Sequence, residues 1–255
     1  MEIKKIRRLR LIGLFIYVII ACLIVYLTKL TYLFSILVVL VPPSIVNFLW
    51  LKNSRKKVFI FSLVSTFLFA FAIELSSRLA NTWDVQSTLP RILGLIPLEN
   101  MLFAFLNIFW VLSFYEYFVD KDTTARISNK FKYLVILFCL FSLIIFGFYL
   151  YNIANIKMNY FTTALIILIC PSIIIFGMKP KLLKKTILPV LFFAVVFFVY
   201  EVVSLKIGSW WWPGKYFMTF TIFGKVFPLD DVIIWYFLST ITLIGGYELF
   251  ADDGK

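Results

Sequence analysis

The sequence predicts an all-α polytopic membrane protein of about eight transmembrane helices, arranged as two parallel four-helix repeats. Three observations carry that fold class. Of 255 residues, 62% are hydrophobic and only 15% are charged, with a mean hydropathy of +0.98. A soluble domain is about half apolar and a quarter charged, so its interior could not absorb 30 Phe, 13 Tyr and 7 Trp, and lipid must solvate most of them. The basic residues gather in short stretches between apolar runs. A pattern of acid, Trp and Pro-Leu-acid occurs once in each half of the chain.

A run of about 18 apolar residues can cross the hydrocarbon core. Eight follow one another, at 11–28, 32–51, 58–77, 97–118, 133–151, 160–178, 187–205 and 228–249. The first has a basic start (Lys4, Lys5, Arg7, Arg8, Arg10) of the kind a signal peptide shows. No small-x-small cleavage site follows Ala21 and the apolar run continues, so it reads as a retained helix. Little more than Lys29 divides it from the second. Segments 1–10, 52–57, 119–132, 179–186 and the C-terminal tail hold 18 of the 25 Lys and Arg residues, and the opposite loops hold seven. By the positive-inside rule both termini are cytoplasmic, in an integral protein of a bacterial or archaeal plasma membrane. The net charge of +12 therefore needs no nucleic acid, since no basic stripe is interleaved with aromatics.

Composition also limits the chemistry. There is no His, which removes a His general base, a His-ligated haem and a Ser–His–Asp triad. Cys22, Cys139 and Cys170 lie far apart inside apolar stretches, without metal or disulfide spacing. No Gly-x-Gly-x-x-Gly motif follows a strand-like run, and no phosphate-binding Gly-Lys-Ser/Thr loop occurs, so no cofactor and no metal is expected.

The repeat holds the candidate site. Glu74 is followed nine residues on by Trp83, and Glu201 nine residues on by Trp210. Pro97-Leu98-Glu99-Asn100 then opens the fourth span and Pro228-Leu229-Asp230-Asp231 the eighth. Pro42 follows Tyr32 by ten residues, as Pro171 follows Tyr160 by eleven. Residues 1–125, with an extra N-terminal helix, form the first repeat and 126–255 the second. Four spans per repeat make the two run in the same direction, so both motifs reach the same, non-cytoplasmic side. Pro97 and Pro228 suit a first helical turn, where a missing N–H costs nothing. Glu99 and Asp230 follow near the positive end of the helix dipole. Glu74 and Glu201 leave the preceding spans at a similar depth.

An acid at a helix start is often only a cap, and a Trp at the membrane edge only a belt residue. Joint recurrence argues otherwise, because an intramembrane acid costs about 2.5–3.5 kcal/mol on insertion scales. Glu116 and Glu248, near cytoplasmic helix ends, are expected to be easily solvated and structural. Asp120, Asp122, Asp252 and Asp253 are expected to be solvated loop charges. Trp210-Trp211-Trp212, with Pro213, Gly214, Lys215 and Tyr216, reads equally as an interfacial anchor or as the wall of an apolar ligand site.

On these motifs, over about residues 30–250, the chain resembles the lycopene cyclase domain family. That family includes bacterial heterodimeric carotenoid cyclases and fused two-unit forms, and this chain resembles the fused form. The family's Pro-Leu-Glu-Glu-like motif reads Pro97-Leu98-Glu99-Asn100 in one half and Pro228-Leu229-Asp230-Asp231 in the other. Asn100 is a departure, since an amide cannot deliver a proton as an acid does.

The resemblance implies a membrane carotenoid cyclase, an intramolecular lyase or isomerase without net redox change. It would close ionone-type end rings on lycopene-like linear carotenoids. An acid protonates the terminal double bond, the cation closes a six-membered ring, and a base removes a proton. Glu99 and Asp230 would carry the proton transfer, with Glu74, Glu201 and Asp231 as partners. Trp83, Trp210, Asn100, Pro97 and Pro228 would shape the substrate cleft. A dry site favours an uncharged carboxylic acid, aromatic faces steady a cation, and excluded water cannot capture it. The partners expected are a linear carotenoid or other isoprenoid lipid and membrane lipid, and whether the chain forms a homo-oligomer stays open in the sequence. Three other readings stand beside this one: a related carotenoid hydratase with water on Asn100, a non-catalytic isoprenoid- or carotenoid-binding protein, and a small transporter.

Overall fold

A computed structural model of the chain describes residues 2–79, 81–150 and 160–252. The C-terminal end of the fifth expected span, Lys157 and Asp253 lie outside the described residues. The fold is all-α apart from three short two-stranded ribbons. Helix α1 (Glu2–Thr28) is continuous. Helices α2 (Tyr32–Val39) and α3 (Val41–Trp50) form one rod that breaks at Leu40. The break precedes Pro42 and Pro43, which lack the N–H donors a straight helix needs. Helices α4 (Arg55–Ser65) and α5 (Phe71–Leu79) are joined by a π-helical turn at Thr66–Ala70. Helix α6 (Leu98–Tyr115) starts directly after Pro97 and ends in a second π turn, Glu116–Asp120.

Helices α7 (Phe131–Leu150), α8 (Tyr160–Met178) and α9 (Lys181–Ile207) follow. The last rod is α10 (Leu229–Asp231), a third π turn (Val232–Leu238) and α11 (Ser239–Phe250). Six helices among the described residues are long and apolar enough to cross a membrane: Lys4–Thr28, Tyr32–Trp50, Arg55–Arg78, Leu98–Asp120, Lys181–Ile207 and Leu229–Phe250.

The rods pack with α3 and α4 on α6, α1 on α9, and α11 against α8 and α9. Aromatic rings fill the seam between α6 and α9. Trp110 meets Phe193 edge-on with ring centroids 5.1 Å apart, and Phe114 stacks on Phe192 at 4.5 Å. Such offset and edge contacts suit the ring quadrupole. Ile16, Leu23, Leu27, Leu143, Ile173 and Leu191 project outward and exposed, as a lipid-facing surface requires.

Connections collect at two ends. At the first, which we call the Lys57 end, the Asp122 carboxylate accepts the backbone N–H groups of Lys52, Asn53 and Ser54. At the second, the Glu201 end, β1 (Asp84–Val85) pairs antiparallel with β4 (Trp210–Trp211), tying the two long loops together. Each loop also holds a hairpin, β2 (Arg91–Ile92) with β3 (Ile96–Pro97) and β5 (Thr219–Ile222) with β6 (Lys225–Pro228). Both turn on a residue pair with positive φ: Leu93 and Gly94 at 53° and 71°, Phe223 and Gly224 at 50° and 75°. Such pairs match the tight hairpin turn whose twist follows the strands, and glycine adopts its half without strain.

The expectation that the acids at the Lys57 end are solvated is corrected. Glu116, Glu248 and Asp252 are 0%, 1% and 3% exposed. They are buried because cations and phenols enter the bundle with them. Lys57 Nζ lies 2.9 Å from Glu116 and 2.6 Å from Asp252. Lys185 Nζ lies 3.1 Å from Glu248 and 2.9 Å from Asp120. Tyr247 donates to Glu116 and Tyr115 to Glu248. Asp122 is half-buried and bonded as a cap rather than freely solvated. Glu116, Asp120 and Asp252 approach one another closely enough to hold an ion, but the Lys57 ammonium already bonds two of the three.

Candidate functional site

The site is built at the Glu201 end by two helix termini and the loop between them. Helix α9 stops at Gly208, in the left-handed conformation with φ 78°, and Ser209 N–H returns to Ser204 C=O at 2.9 Å. This C-cap reverses the chain. The tryptophans that follow therefore fold back over the last turns of α9. Trp210 Nε1 donates to Glu201 Oε1 at 3.0 Å, and Trp212 Nε1 donates to the same oxygen at 3.2 Å.

The other terminus is the start of α10. Pro228 holds extended backbone at the N-cap, so Asp230 and Asp231 fall in the first turn. Their side chains diverge. Asp230 turns to the loop and accepts Phe217 N–H at 3.0 Å. Asp231 turns inward, into hydrogen-bonding reach of the Glu201 carboxyl. Glu201 and Asp231 are 7% and 2% exposed, and among the described residues no Lys or Arg forms an ion pair with either. They open onto a cavity whose walls include Trp83, Trp210, Trp212, Trp235, Tyr200 and Tyr236. Asp231 Oδ1 and the Tyr236 hydroxyl are buried there without a hydrogen-bond partner among protein atoms.

The first half makes the same backbone turn and different chemistry. Helix α5 is followed by Asn81 with φ 48°, and Thr82 N–H returns to Ser77 C=O at 2.9 Å. Trp83 then donates to Ser77 Oγ rather than to an acid. Glu74 accepts Asn100 Nδ2 at 2.8 Å and lies 3.5 Å from Arg78 Nη2. Arg78 also bonds Trp83 C=O at 2.8 Å and the Asp84 carboxylate, so it ties the acid to the loop. Glu99 accepts Thr88 N–H at 2.6 Å, Leu89 N–H at 2.7 Å and Ser87 Oγ at 2.9 Å.

The five acids thus separate by position in the motif. The first member, Glu99 or Asp230, clasps the loop before its helix. The second member, Asn100 or Asp231, meets the acid of the preceding helix. Pro97 and Pro228 are N-cap residues. The two halves meet through aromatic rings: Trp83 stacks on Trp212 with centroids 5.8 Å and planes 19° apart, and Trp210 meets Tyr32 edge-on at 5.6 Å. Outside the spans, Tyr216 donates to Thr82 C=O, and burial pushes its phenol above its ordinary pKa, so it stays a donor.

The motifs did not single out Arg78 or Tyr236 as site residues, and they left Trp212 open between an interfacial anchor and a cavity wall. Arg78 stands where the second half has Leu205, and its place four residues after Glu74 on one helix was the available signal that the two pair. The cluster at the Lys57 end did leave a signal. Tyr115-Glu116 recurs as Tyr247-Glu248, and Lys57 and Asp120 recur at nearly the same spacing as Lys185 and Asp252.

No family model, no curated protein and no solved structure matches the chain.

Proposed function

We propose that the chain is a membrane carotenoid cyclase that forms ionone-type rings on lycopene-like linear carotenoids, with Glu201 and Asp231 as its acid–base pair. The observation that carries this reading is a pair of buried carboxyls with no cation beside them, facing a cavity walled by tryptophan and tyrosine. Two carboxyl groups can hydrogen-bond only through a proton held by one of them. Glu201 Oε1 already accepts two indole N–H groups, whereas Asp231 keeps an oxygen without a partner. Asp231 is therefore placed to deliver the proton to a terminal double bond. Glu201 is placed to hold the pair in position and to take a proton back from the ring. Indole and phenol faces steady the cation in between, and the shielded cavity limits its capture by water.

In this reading the chain is two parallel four-helix repeats of eight spans with both termini cytoplasmic, and only the second repeat reacts. The matching hairpins, the matching helix ends and the crossed Tyr–Glu pairs support the repeat. The Arg78–Glu74–Asn100 arrangement supports the asymmetry, because a carboxylate held by a guanidinium and an amide is a brace and not a proton donor. The departure at Asn100 also favours a second reading, in which the chain binds an isoprenoid or carotenoid without turning it over.

Expression in cells that accumulate lycopene, followed by chromatography of the pigments, tests the reading. Ring-bearing products that vanish with Asp231→Asn support cyclisation. Unchanged lycopene in cells holding abundant protein overturns it, and pigment that co-purifies unaltered points to the binding reading.

A further inference from the structure

A second cavity lies deeper between α4, α6, α8 and α11, and nothing above uses it. It shares Asn107, Phe197 and Trp235 with the acid pocket, so the two form neighbouring chambers with a common wall. Most of its lining is hydrocarbon or aromatic, from residues such as Phe61, Ile73 and Leu168. Two atoms do not fit an apolar chamber. Asn107 Oδ1 and Thr240 Oγ are buried with no hydrogen-bond partner, in residues 6% and 1% exposed. The Asn107 amide nitrogen is already committed to Phe103 C=O at 3.0 Å, which leaves the acceptor oxygen free. A buried polar group without a partner costs about 1–3 kcal/mol, and two in one otherwise apolar wall call for a ligand that satisfies them. Two of the three π turns border this region or the acid pocket, Thr66–Ala70 through Phe69 and Ala70 and Val232–Leu238 through Trp235 and Tyr236, and π turns concentrate at functional sites.

We propose that the deeper chamber binds the hydroxyl-bearing end of an apolar isoprenoid chain. The ligand O–H donates to Asn107 Oδ1, and the Thr240 hydroxyl donates to the ligand oxygen. An amide oxygen can only accept, so the complementary group must be a donor, and a pure hydrocarbon leaves both atoms unsatisfied. The isoprenoid nature of the chain rests on the reading given under Proposed function, and the hydroxyl requirement does not.

The test is binding to the full chain in phosphatidylcholine nanodiscs, followed by native mass spectrometry. The probes are farnesol, its methyl ether, which keeps the chain and loses the O–H, and the linear alcohol pentadecanol. Measuring in both the wild type and Asp231→Asn keeps binding apart from turnover. The expected result is farnesol held about fivefold more tightly than the ether, the scale of one net hydrogen bond. Asn107→Leu combined with Thr240→Val brings that ratio to about one while the ether still binds. Equal binding of alcohol and ether to the wild type, as when water satisfies both atoms, overturns the proposal, and so does a preference that survives the double substitution. Pentadecanol held as tightly as farnesol overturns the isoprenoid part alone. A farnesol preference in protein that never cyclises lycopene leaves this site standing and removes the cyclase reading.

Discussion

Tyr115 donates its phenolic hydrogen to Glu248, on the helix that also carries Tyr247, and Tyr247 donates to Glu116, the residue next to Tyr115. The exchange is reciprocal, and the lysines follow it. Lys57 joins Glu116 to Asp252, and Lys185 joins Glu248 to Asp120. Each lysine therefore bonds one acid from either half of the chain. The halves are latched at the end of the bundle opposite the candidate site, by charges that compensate one another inside the protein.

The latch predicts unequal costs. Lys57 is fully buried, so Lys57→Met leaves Glu116 and Asp252 without their cation. Removing one partner of a buried pair costs about 3–5 kcal/mol. The Lys185 side chain is 28% exposed, so water replaces part of what Lys185→Met removes, and about 1 kcal/mol is expected. Thermal unfolding of the two variants in detergent, followed by tryptophan fluorescence, ranks them. Equal losses contradict the latch.

Asp122 predicts a pH dependence at the same end. Burial works against its charged form, but the Ser54 hydroxyl and the backbone N–H groups of Asn53, Lys52 and Ser54 outweigh it and hold the carboxyl below the ordinary aspartate value. A group whose folded pKa is depressed adds stability above its unfolded pKa, near 3.9, and that stability fades as pH falls through the folded value. The wild type should therefore lose this contribution only below about pH 4. Asp122→Asn should remove it at neutral pH, costing about 1 kcal/mol as a lost helix cap does, and should flatten the acid limb of a stability–pH profile. A variant with the wild-type profile excludes the cap.

The acids at the candidate site predict a hierarchy of activities. Asp231→Asn and Glu201→Gln should each lower ring formation by at least about 100-fold, the scale of a lost general acid or base. Glu74→Gln should keep most of the activity, because Glu74 is held by Arg78 and Asn100 outside the cavity wall. Glu99→Gln should lower the yield of folded protein more than the turnover per molecule, since Glu99 bonds loop backbone. Pigment ratios normalised to membrane-extracted protein separate these effects. A Glu99→Gln variant that is fully folded and inactive returns the proton transfer to the first acid of the motif.

How much of this was legible in the sequence depended on the kind of signal. Helices such as Lys181–Ile207 follow from apolar length alone, whereas the hairpins around Gly94 and Gly224, which lead into the Pro-Leu motifs, were not read from the sequence. The residue-by-residue division of roles did not show. Glu99 and Asn100 are adjacent, as are Asp230 and Asp231, and neighbours on a helix point about 100° apart. Which one faces the loop and which the interior depends on where the preceding chain returns, a tertiary fact. Burial of Glu116 and Glu248 was hidden for a similar reason: a charge near a helix end looks solvated until its partner arrives from the other half. The repeated Tyr-Glu dipeptide was the available sign, and it is meaningful only when each tyrosine is matched to the other copy's acid.

Gly214 carries the last prediction. Its N–H donates to Thr82 C=O at 3.2 Å, where the loop of the second half crosses the loop of the first. A Cβ on Gly214 would lie 2.8 Å from Thr82 Cα and 3.1 Å from Thr82 C=O, both backbone atoms that cannot swing aside. Gly214→Ala must therefore push the two loops apart. The displaced segment includes Trp212, which stacks on Trp83 and donates to Glu201, so the wall of the acid pocket moves with it. The helices themselves do not depend on this contact. The expected outcome is near-normal thermal stability, lowered by about 1–3 kcal/mol as overpacking costs, together with a loss of ring formation larger than that change explains. Gly177→Ala is the control, because an added Cβ there meets nothing within 4 Å and the residue lies within α8, away from both loops. If both variants lose activity in proportion to stability, the loop crossing is scaffold only. If Gly214→Ala alone is inactive while folded, the crossing sets the position of the indoles on Glu201.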